Sequence, residues 1–387
     1  MADRFHIHGK ISPGMIRRCC ILMGCIIFFA LILRYQQIEK TELVSTEGRS
    51  FETAKVTEII EDNLRDSGIR TGYQTVMLKI LTGEHKGEEI EASSSSSYLY
   101  GAACEKNMKV VAILSESSGE ITASVYSYYR SPVLIGFILV FLLLIWVIGG
   151  KQGLYSIIGL AFTFICIIYL FLPMIYKGIS PYAAAVFVVI VTTIVTMYMI
   201  GGASKKTVSA ITGTIVGVLV SGFSALIVGK LGHITGYNVS DVEQLVYVGD
   251  QTGIRVGELL FSGILIAALG AVMDVAMSIS STISEISAKN PSLSRKELFL
   301  SGIHVGRDMM GTMSNTLILA FTGGSINTLV YMYSYNYSGR QIMNMNDVAI
   351  EIIQGISSSM GVILTVPFVA FFSAWLMKRK DGKMQKS

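Results

Sequence analysis

Two stretches in the C-terminal half of the chain place ionisable and hydroxyl side chains within otherwise apolar helices. In the first, Gly263, Ala267, Gly270 and Asp274 recur at helical spacing, and Ser278 extends the same face. A carboxylate in hydrocarbon is costly unless it is paired, protonated or in contact with water. We therefore expect Asp274 to point into a helix bundle, toward water, a cation or a base.

The second stretch, residues 306–316, is richer in polar groups. These are Arg307, Asp308, Thr312, Ser314, Asn315 and Thr316. Arg307 and Asp308 could simply mark the membrane interface and extend their side chains toward it. That alternative does not explain the hydroxyl and amide groups deeper in the helix, so a polar cavity is favoured.

Such a cavity suits an ion or a small polar solute. Side-chain and backbone oxygens replace the water around the solute, and a titratable carboxylate exchanges a proton or a sodium ion for it. The predicted cavity residues are Asp274, Ser278, Arg307, Asp308, Thr312 and Asn315.

Glycines at helical spacing indicate close contacts between helices. Gly213, Gly217 and Ser221 follow one another at four-residue spacing, which lets helix backbones approach closely. Gly270 and Gly311 lie among the polar residues. We interpret all four glycines as packing positions, and for Gly213 and Gly217 the alternative is a hinge or a pore-lining face.

No motif completes a catalytic or metal-binding set. The sequence has no HExxH, GxSxG or P-loop pattern, and its five cysteines form no CxxC or Cys/His cluster. Its net charge is +4, without a basic face that alternates with aromatics. We therefore predict no enzymatic activity, no cofactor, no metal and no nucleic-acid partner.

Long apolar runs predict a membrane protein. Hydrophobic residues make up 51% of the chain and charged residues only 15%, against about a quarter in soluble domains. A run of roughly 18 or more apolar residues crosses the bilayer as a helix. We predict about eight such helices, at Cys19–Leu33, Pro132–Ile148, Leu154–Leu172, Tyr182–Ile200, Val208–Val228, Glu258–Ile279, Met309–Tyr331 and Ala349–Leu376.

A water-exposed domain separates the first two predicted spans. Residues 36–131 hold more than half of the acidic side chains and contain alternating, β-branched segments divided by turn signals. These segments are Lys55–Ile60, Gln74–Leu81, Lys109–Leu114 and Ile121–Tyr128. The pattern predicts a small, mostly β domain of about five strands, for which a barrel is one arrangement.

The charge bias gives an orientation. Lys and Arg cluster at every second boundary if there are eight spans, so we expect both termini in the cytoplasm, beneath the plasma membrane. Residues 1–35 then form a cytoplasmic segment and a signal anchor, and residues 36–131 an extracytoplasmic domain. Residues 132–377 form a seven-helix membrane domain, and residues 378–387 a basic cytoplasmic tail.

Two sequence blocks resemble the YibE/F family of bacterial multi-spanning membrane proteins. One block runs from Ala268 to Ser278 and the other from Val305 to Ala320. The likeness covers about residues 132–376, with the β domain ahead of it. The resemblance implies a multi-spanning topology and supports the choice of the two polar segments, but it implies no substrate.

Two functions follow from these patterns. The leading hypothesis is a secondary transporter or permease that moves an ion or small polar solute, without ATP, through a polar cavity in the last four predicted spans. The alternative is a membrane scaffold or sensor whose extracytoplasmic β domain binds a partner. In both cases the lipid bilayer surrounds the chain, and a homo-oligomer is a further expected form.

Overall fold

A computed structural model describes residue 43 and residues 47–64, 72–95, 100–117, 119–240 and 242–378. The predicted span Cys19–Leu33 lies outside the described residues. The chain divides into two compact units, one covering Glu42–Leu144 and the other containing the helices from Ile145 onward.

The first unit contains a closed five-stranded barrel. Its strands are β1 (Arg49–Glu61), β2 (Gln74–Ile80), β3 (Glu89–Ser94), β4 (Lys109–Ser117) and β5 (Glu120–Tyr128). They pair in the order β1-β2-β3-β5-β4, with β1 also paired to β4 and with β3 parallel to β5. This order is that of the OB-fold type of barrel. The predicted small β region is thus a five-stranded barrel.

Alternating side chains fill the barrel. Val56, Leu78 and Val110 are fully buried, as the period of two requires of strands with one face inside. The buried amide of Gln74 accepts a hydrogen bond from the N–H of Cys104 at 2.9 Å and donates one to its carbonyl at 3.0 Å. A buried polar side chain needs such partners, so this pair anchors the loop before β4 to β2.

Nine helices follow the barrel in the described part of the chain. They are α1 (Ser131–Tyr176), α2 (Pro181–Gly201), α3 (Lys205–Leu231), α4 (Val242–Thr252), α5 (Leu259–Lys289), α6 (Arg295–Gly324), α7 (Ile326–Ser334), α8 (Gly339–Ile342) and α9 (Asn346–Met377). Short 3-10 turns at Gly236–Asn238 and Val256–Glu258 lie on either side of α4.

Five helical stretches among the described residues are long and apolar enough to cross a membrane. They are α1, α2, α3, α5 with its preceding turn (Val256–Lys289), and α9. The predicted number of eight spans is therefore not confirmed. The predicted spans Tyr182–Ile200, Val208–Val228, Glu258–Ile279 and Ala349–Leu376 fall within four of the five.

The difference in number has local causes. The predicted spans before and after Gly150 belong to one helical stretch of 46 residues, which bends at Gly150. Gly150 has φ +52°, a left-handed conformation that glycine adopts readily. Predicted span Met309–Tyr331 falls across α6 and α7, which Ser325 separates. α6 has 30 residues, but polar side chains interrupt its apolar ones.

The tightest helix crossing joins α3 and α9, which are antiparallel. A methyl group on Gly217 would lie 3.0 Å from the carbonyl oxygen of Gly361 and would overlap the Thr365 hydroxyl. A methyl group on Gly213 would overlap Val369. Small residues at these positions let the two backbones approach. Around this crossing, α5 contacts α2, α3, α6 and α9, and α6 contacts α5 and α9.

Helix α6 begins at a capping box. The backbone N–H of Ser294 donates to the Glu297 carboxylate at 2.7 Å, and the N–H of Glu297 donates to the Ser294 hydroxyl at 3.2 Å. The hydrogen bond from the Ser294 backbone, aided by its hydroxyl, holds the pKa of the Glu297 carboxyl below its usual range. This cap fixes where the polar helix starts.

We predict that Gly217→Ala destabilises the helical unit. The added methyl group has no room at the α3–α9 crossing, so the free energy of unfolding should fall by about 2 kcal/mol. Denaturant unfolding of the detergent-solubilised protein measures this loss. The control is Gly136→Ala, whose added methyl group meets no atom within 4 Å. Equal stability of the two variants would contradict the assigned contact.

Candidate functional site

The predicted stripe of α5 forms one continuous exposed face. Gly263, Ala267, Gly270, Asp274 and Ser278 are all exposed on this helix. The opposite side of α5 packs into the bundle, where its buried residues are almost all apolar. Asp274 thus lies on the outward face, whereas we expected it to point into the bundle. The reason is that apolar side chains fill the contacts of α5 with its neighbours.

The polar residues of α6 also face outward. The exposed set comprises His304, Arg307, Asp308, Gly311, Thr312, Asn315 and Thr316. The buried side is marked by Leu298, Gly302 and Gly306. The Thr312 hydroxyl donates to the carbonyl of Asp308 at 3.2 Å, which satisfies it within its own helix.

The two exposed faces lie at matching heights along the bundle. α5 and α6 are antiparallel, because a methyl group on Gly302 would contact Ile283 and one on Gly306 would contact Ile279. Both helices rise by the same amount per residue. Continuing this register brings Gly311 to the level of Asp274. It brings Asn315 to the level of Gly270, and Arg307 to that of Ser278.

None of the charged or amide side chains on these faces has a partner in the described part of the chain. No hydrogen bond or ion pair there involves the side chains of Asp274, Arg307, Asp308 or Asn315. A charge at the centre of a membrane-spanning helix costs roughly 3 kcal/mol when hydrocarbon surrounds it. These faces therefore need water, a solute or a protein surface against them.

The predicted packing glycines separate into two groups. Gly213 and Gly217 lie in the α3–α9 contact, where an added methyl group would overlap the neighbouring helix. Methyl groups on Gly270 and Gly311 would meet no atom within 4 Å. Contacts within the described residues therefore explain the first two glycines. They do not explain the other two, which share their faces with Asp274 and Asn315.

Comparison with known proteins places the chain in a family. A family model described as YibE/F-like protein matches residues 137–379, which is more than half of the chain. The chain belongs to the YibE/F-like family. No curated protein and no solved structure matches it. The family match and the apolar helices together show a membrane-embedded protein, and the match includes both polar faces.

This YibE/F-like bundle also encloses hydroxyl groups without hydrogen-bond partners among the described residues. They belong to Thr193, Thr196, Thr214, Ser221, Ser314, Ser358 and Ser373. The sequence identifies Ser221 and Ser314 among these residues, and the helical spacing of Thr214 from Gly217 and Ser221 is the signal for a third. The Thr365 hydroxyl, in contrast, has a partner within its own helix, because it donates to the carbonyl of Gly361 at 2.8 Å. These hydroxyls belong to the interior and do not extend the exposed faces.

One cavity was not anticipated. It has a volume of about 380 Å³ between the end of α4 and the start of α5, and its charged lining residues are Asp250, Arg255 and Glu258. Arg255 pairs with Glu258 at 3.6 Å, and the Ser180 hydroxyl donates to the Glu258 carboxylate. The feature of the sequence that could have indicated this cavity is the group of three charged residues close to Gly253. No cluster of three metal-ligating side chains occurs there or elsewhere in the described ranges.

Proposed function

We propose that this YibE/F-like protein is a secondary transporter or permease, not an enzyme, and that it moves an ion or a small polar solute without ATP. The polar faces of α5 and α6 form one wall of its path. The observation that carries the proposal is the carboxylate of Asp274, which has no partner among the described residues and lies midway along α5, a helix long and apolar enough to cross a membrane. A carboxylate in that position is expensive unless it serves a solute.

Each polar group has a role along this path. Asp274 exchanges a proton or a sodium ion for the solute, because it is the ionisable group midway along α5. Ser278, Thr312 and Asn315 supply oxygen atoms that replace the hydration shell of the solute. Arg307 and Asp308 lie closer to the beginning of α6, where they select charge at the entrance.

We propose that the protein lies in a bacterial plasma membrane with both termini in the cytoplasm, and the charge distribution supports a cytoplasmic position for the end of α9. Antiparallel packing brings the beginnings of α3 and α6 and the ends of α5 and α9 to the same end of the bundle. The Lys378 ammonium group there donates to the carbonyl of Leu293 at 2.8 Å. The basic residues at this end are Lys205, Lys206, Lys289, Arg295, Lys296 and Lys378. Basic residues mark the cytoplasmic side of membrane proteins.

We predict that Asp274→Asn removes transport and leaves the fold intact. The exchange of a proton needs the carboxylate, and within one copy the exposed Asp274 side chain has no partner among the described residues, so it contributes little to the fold of that copy. In proteoliposomes, proton movement driven by a sodium gradient and read with an entrapped pH dye should fall to the level of protein-free liposomes.

The matched control is Glu285→Gln, which removes an exposed carboxylate from the same side of α5 but nearer to its basic end. This variant should keep most of the flux, and both variants should unfold at the wild-type temperature. Undiminished flux through Asp274→Asn would show that the assigned role is wrong.

One observation favours the alternative of a membrane scaffold or sensor. The barrel exposes aromatic side chains, and Phe51 and Tyr126 form an edge-to-face pair with ring centroids 5.2 Å apart. Tyr73 and Tyr100 are 71% and 73% exposed. Exposed aromatic side chains are enriched at protein interfaces, so the barrel is the surface on which a partner would bind.

Removal of residues 40–128 separates the two functions. A transporter should retain part of its flux, because the second unit contains both polar faces. The same proteoliposome assay measures the remainder, and a melting curve checks that the helices stay folded. Complete loss of flux from a folded variant would favour the scaffold.

A further inference from the structure

We propose that a second copy of this chain covers the open faces of α5 and α6. The two copies are related by a twofold axis along the membrane normal, with α5 of each copy against α6 of the other. Asp274 then lies between two subunits, and the second copy supplies the partners that it lacks among the described residues of one copy. This inference about an interface stands apart from the proposed transport activity.

The first argument is the contrast between two kinds of exposed surface on the same bundle. α3 exposes Leu219, Phe223 and Ile227, and α9 exposes Phe371 and Trp375. Large apolar side chains of this kind suit contact with lipid tails. Along residues 263–278 of α5 the exposed residues are instead glycine, alanine, aspartate and serine, and along residues 304–316 of α6 they are histidine, arginine, aspartate, glycine, threonine and asparagine. The exposed apolar side chains of α6, at Leu300, Ile318 and Leu319, lie outside this polar stretch. Lipid is therefore the natural neighbour of the first surface and a poor neighbour of the second.

The second argument is shape. At two successive levels, a polar side chain on one helix has a glycine at the same height on the other helix. Asp274 lies at the level of Gly311, and Asn315 lies at the level of Gly270. Both glycines have empty space where a side chain would start. A twofold axis along the membrane normal preserves these levels from one copy to the other. The side chains of one copy can then lie opposite the glycines of the second, where the absent side chains leave space for water between the two faces.

The third argument is chemical complementarity. The face carries hydrogen-bond donors and an acceptor at neighbouring levels. The Asn315 amide of the partner subunit can donate to the Asp274 carboxylate, and Arg307 of the partner subunit, one turn away, compensates its charge. Each face carries both the carboxylate and the groups that can pair with it, so two identical faces are complementary to each other. Isologous contacts of this type are the commonest in homo-oligomers.

The mass of the complex in detergent tests the stoichiometry, and leucine substitutions test the face. We expect the wild-type protein to have the mass of two chains. Gly270→Leu and Gly311→Leu should have the mass of one chain and an unchanged helical circular dichroism spectrum, because neither leucine begins against an atom of its own chain. The control Gly136→Leu, at another glycine with open surroundings, should remain dimeric.

Disulfide trapping in membranes identifies which helices meet. The five native cysteines are first changed to alanine. We expect Gly270→Cys with Asn315→Cys to give a reducible dimer on oxidation, and either change alone to give little. The pair Phe223→Cys with Phe371→Cys lies on the apolar surface and should give no disulfide-linked dimer.

The proposal is overturned if the wild-type protein is monomeric, if it co-purifies with a different protein on this face, or if Gly270→Leu and Gly311→Leu stay dimeric. It is also overturned if only the apolar pair cross-links. A dimer that behaves as expected, together with normal transport by Asp274→Asn, would retain the interface and reject the proposed function.

Discussion

Hydrocarbon offers no hydrogen bonds, and this constraint decides what each side chain of the helical unit can do. Part of the interior meets it, as when the Thr365 hydroxyl bonds to the carbonyl one turn earlier, whereas buried hydroxyls such as those of Thr214 and Ser221 have no partner among the described residues. The outward faces of α5 and α6 do not meet it within the described part of the chain. Asp274 and Asn315 are exposed there with no partner among the described residues. This constraint is the reason for our proposal that water and a second protein surface cover these faces.

The close crossing of α3 and α9 is what positions these faces. Gly217 and Gly361 bring the two backbones together, and α5 and α6 then pack on the pair through apolar and small residues. Because Gly302 and Gly306 seat α6 against both α5 and α9, the opposite side of α6 must face outward. The polar face is thus a consequence of core packing, and its residues contribute little to holding the bundle together.

Helical spacing identified the two faces correctly but could not give their direction. A period of 3.6 residues shows which side chains share a face, as with Gly270, Asp274 and Ser278. Whether that face turns inward depends on which neighbours occupy the other side, and those contacts come from residues distant in sequence. The glycines illustrate this point, since Gly217 and Gly270 look alike in sequence and only the structure shows that one is packed and one open.

The barrel and the span count show the same division between local and long-range information. Alternation located β1, β2, β4 and β5, whereas the short strand Glu89–Ser94 and the strand order depend on distant pairing. Apolar composition located the spans, but the bend at Gly150 and the break at Ser325 changed how they are counted.

The most direct test of the central claim is the reaction of single cysteines with a charged, membrane-impermeant thiol reagent, in a chain whose native cysteines are replaced. Thr312→Cys and Asn315→Cys should react in native membranes, whereas Phe223→Cys on the apolar surface should not. If positions 312 and 315 resist the charged reagent and react only with a lipid-soluble maleimide, these faces contact lipid, and the claim of a wet, protein-covered interior is contradicted.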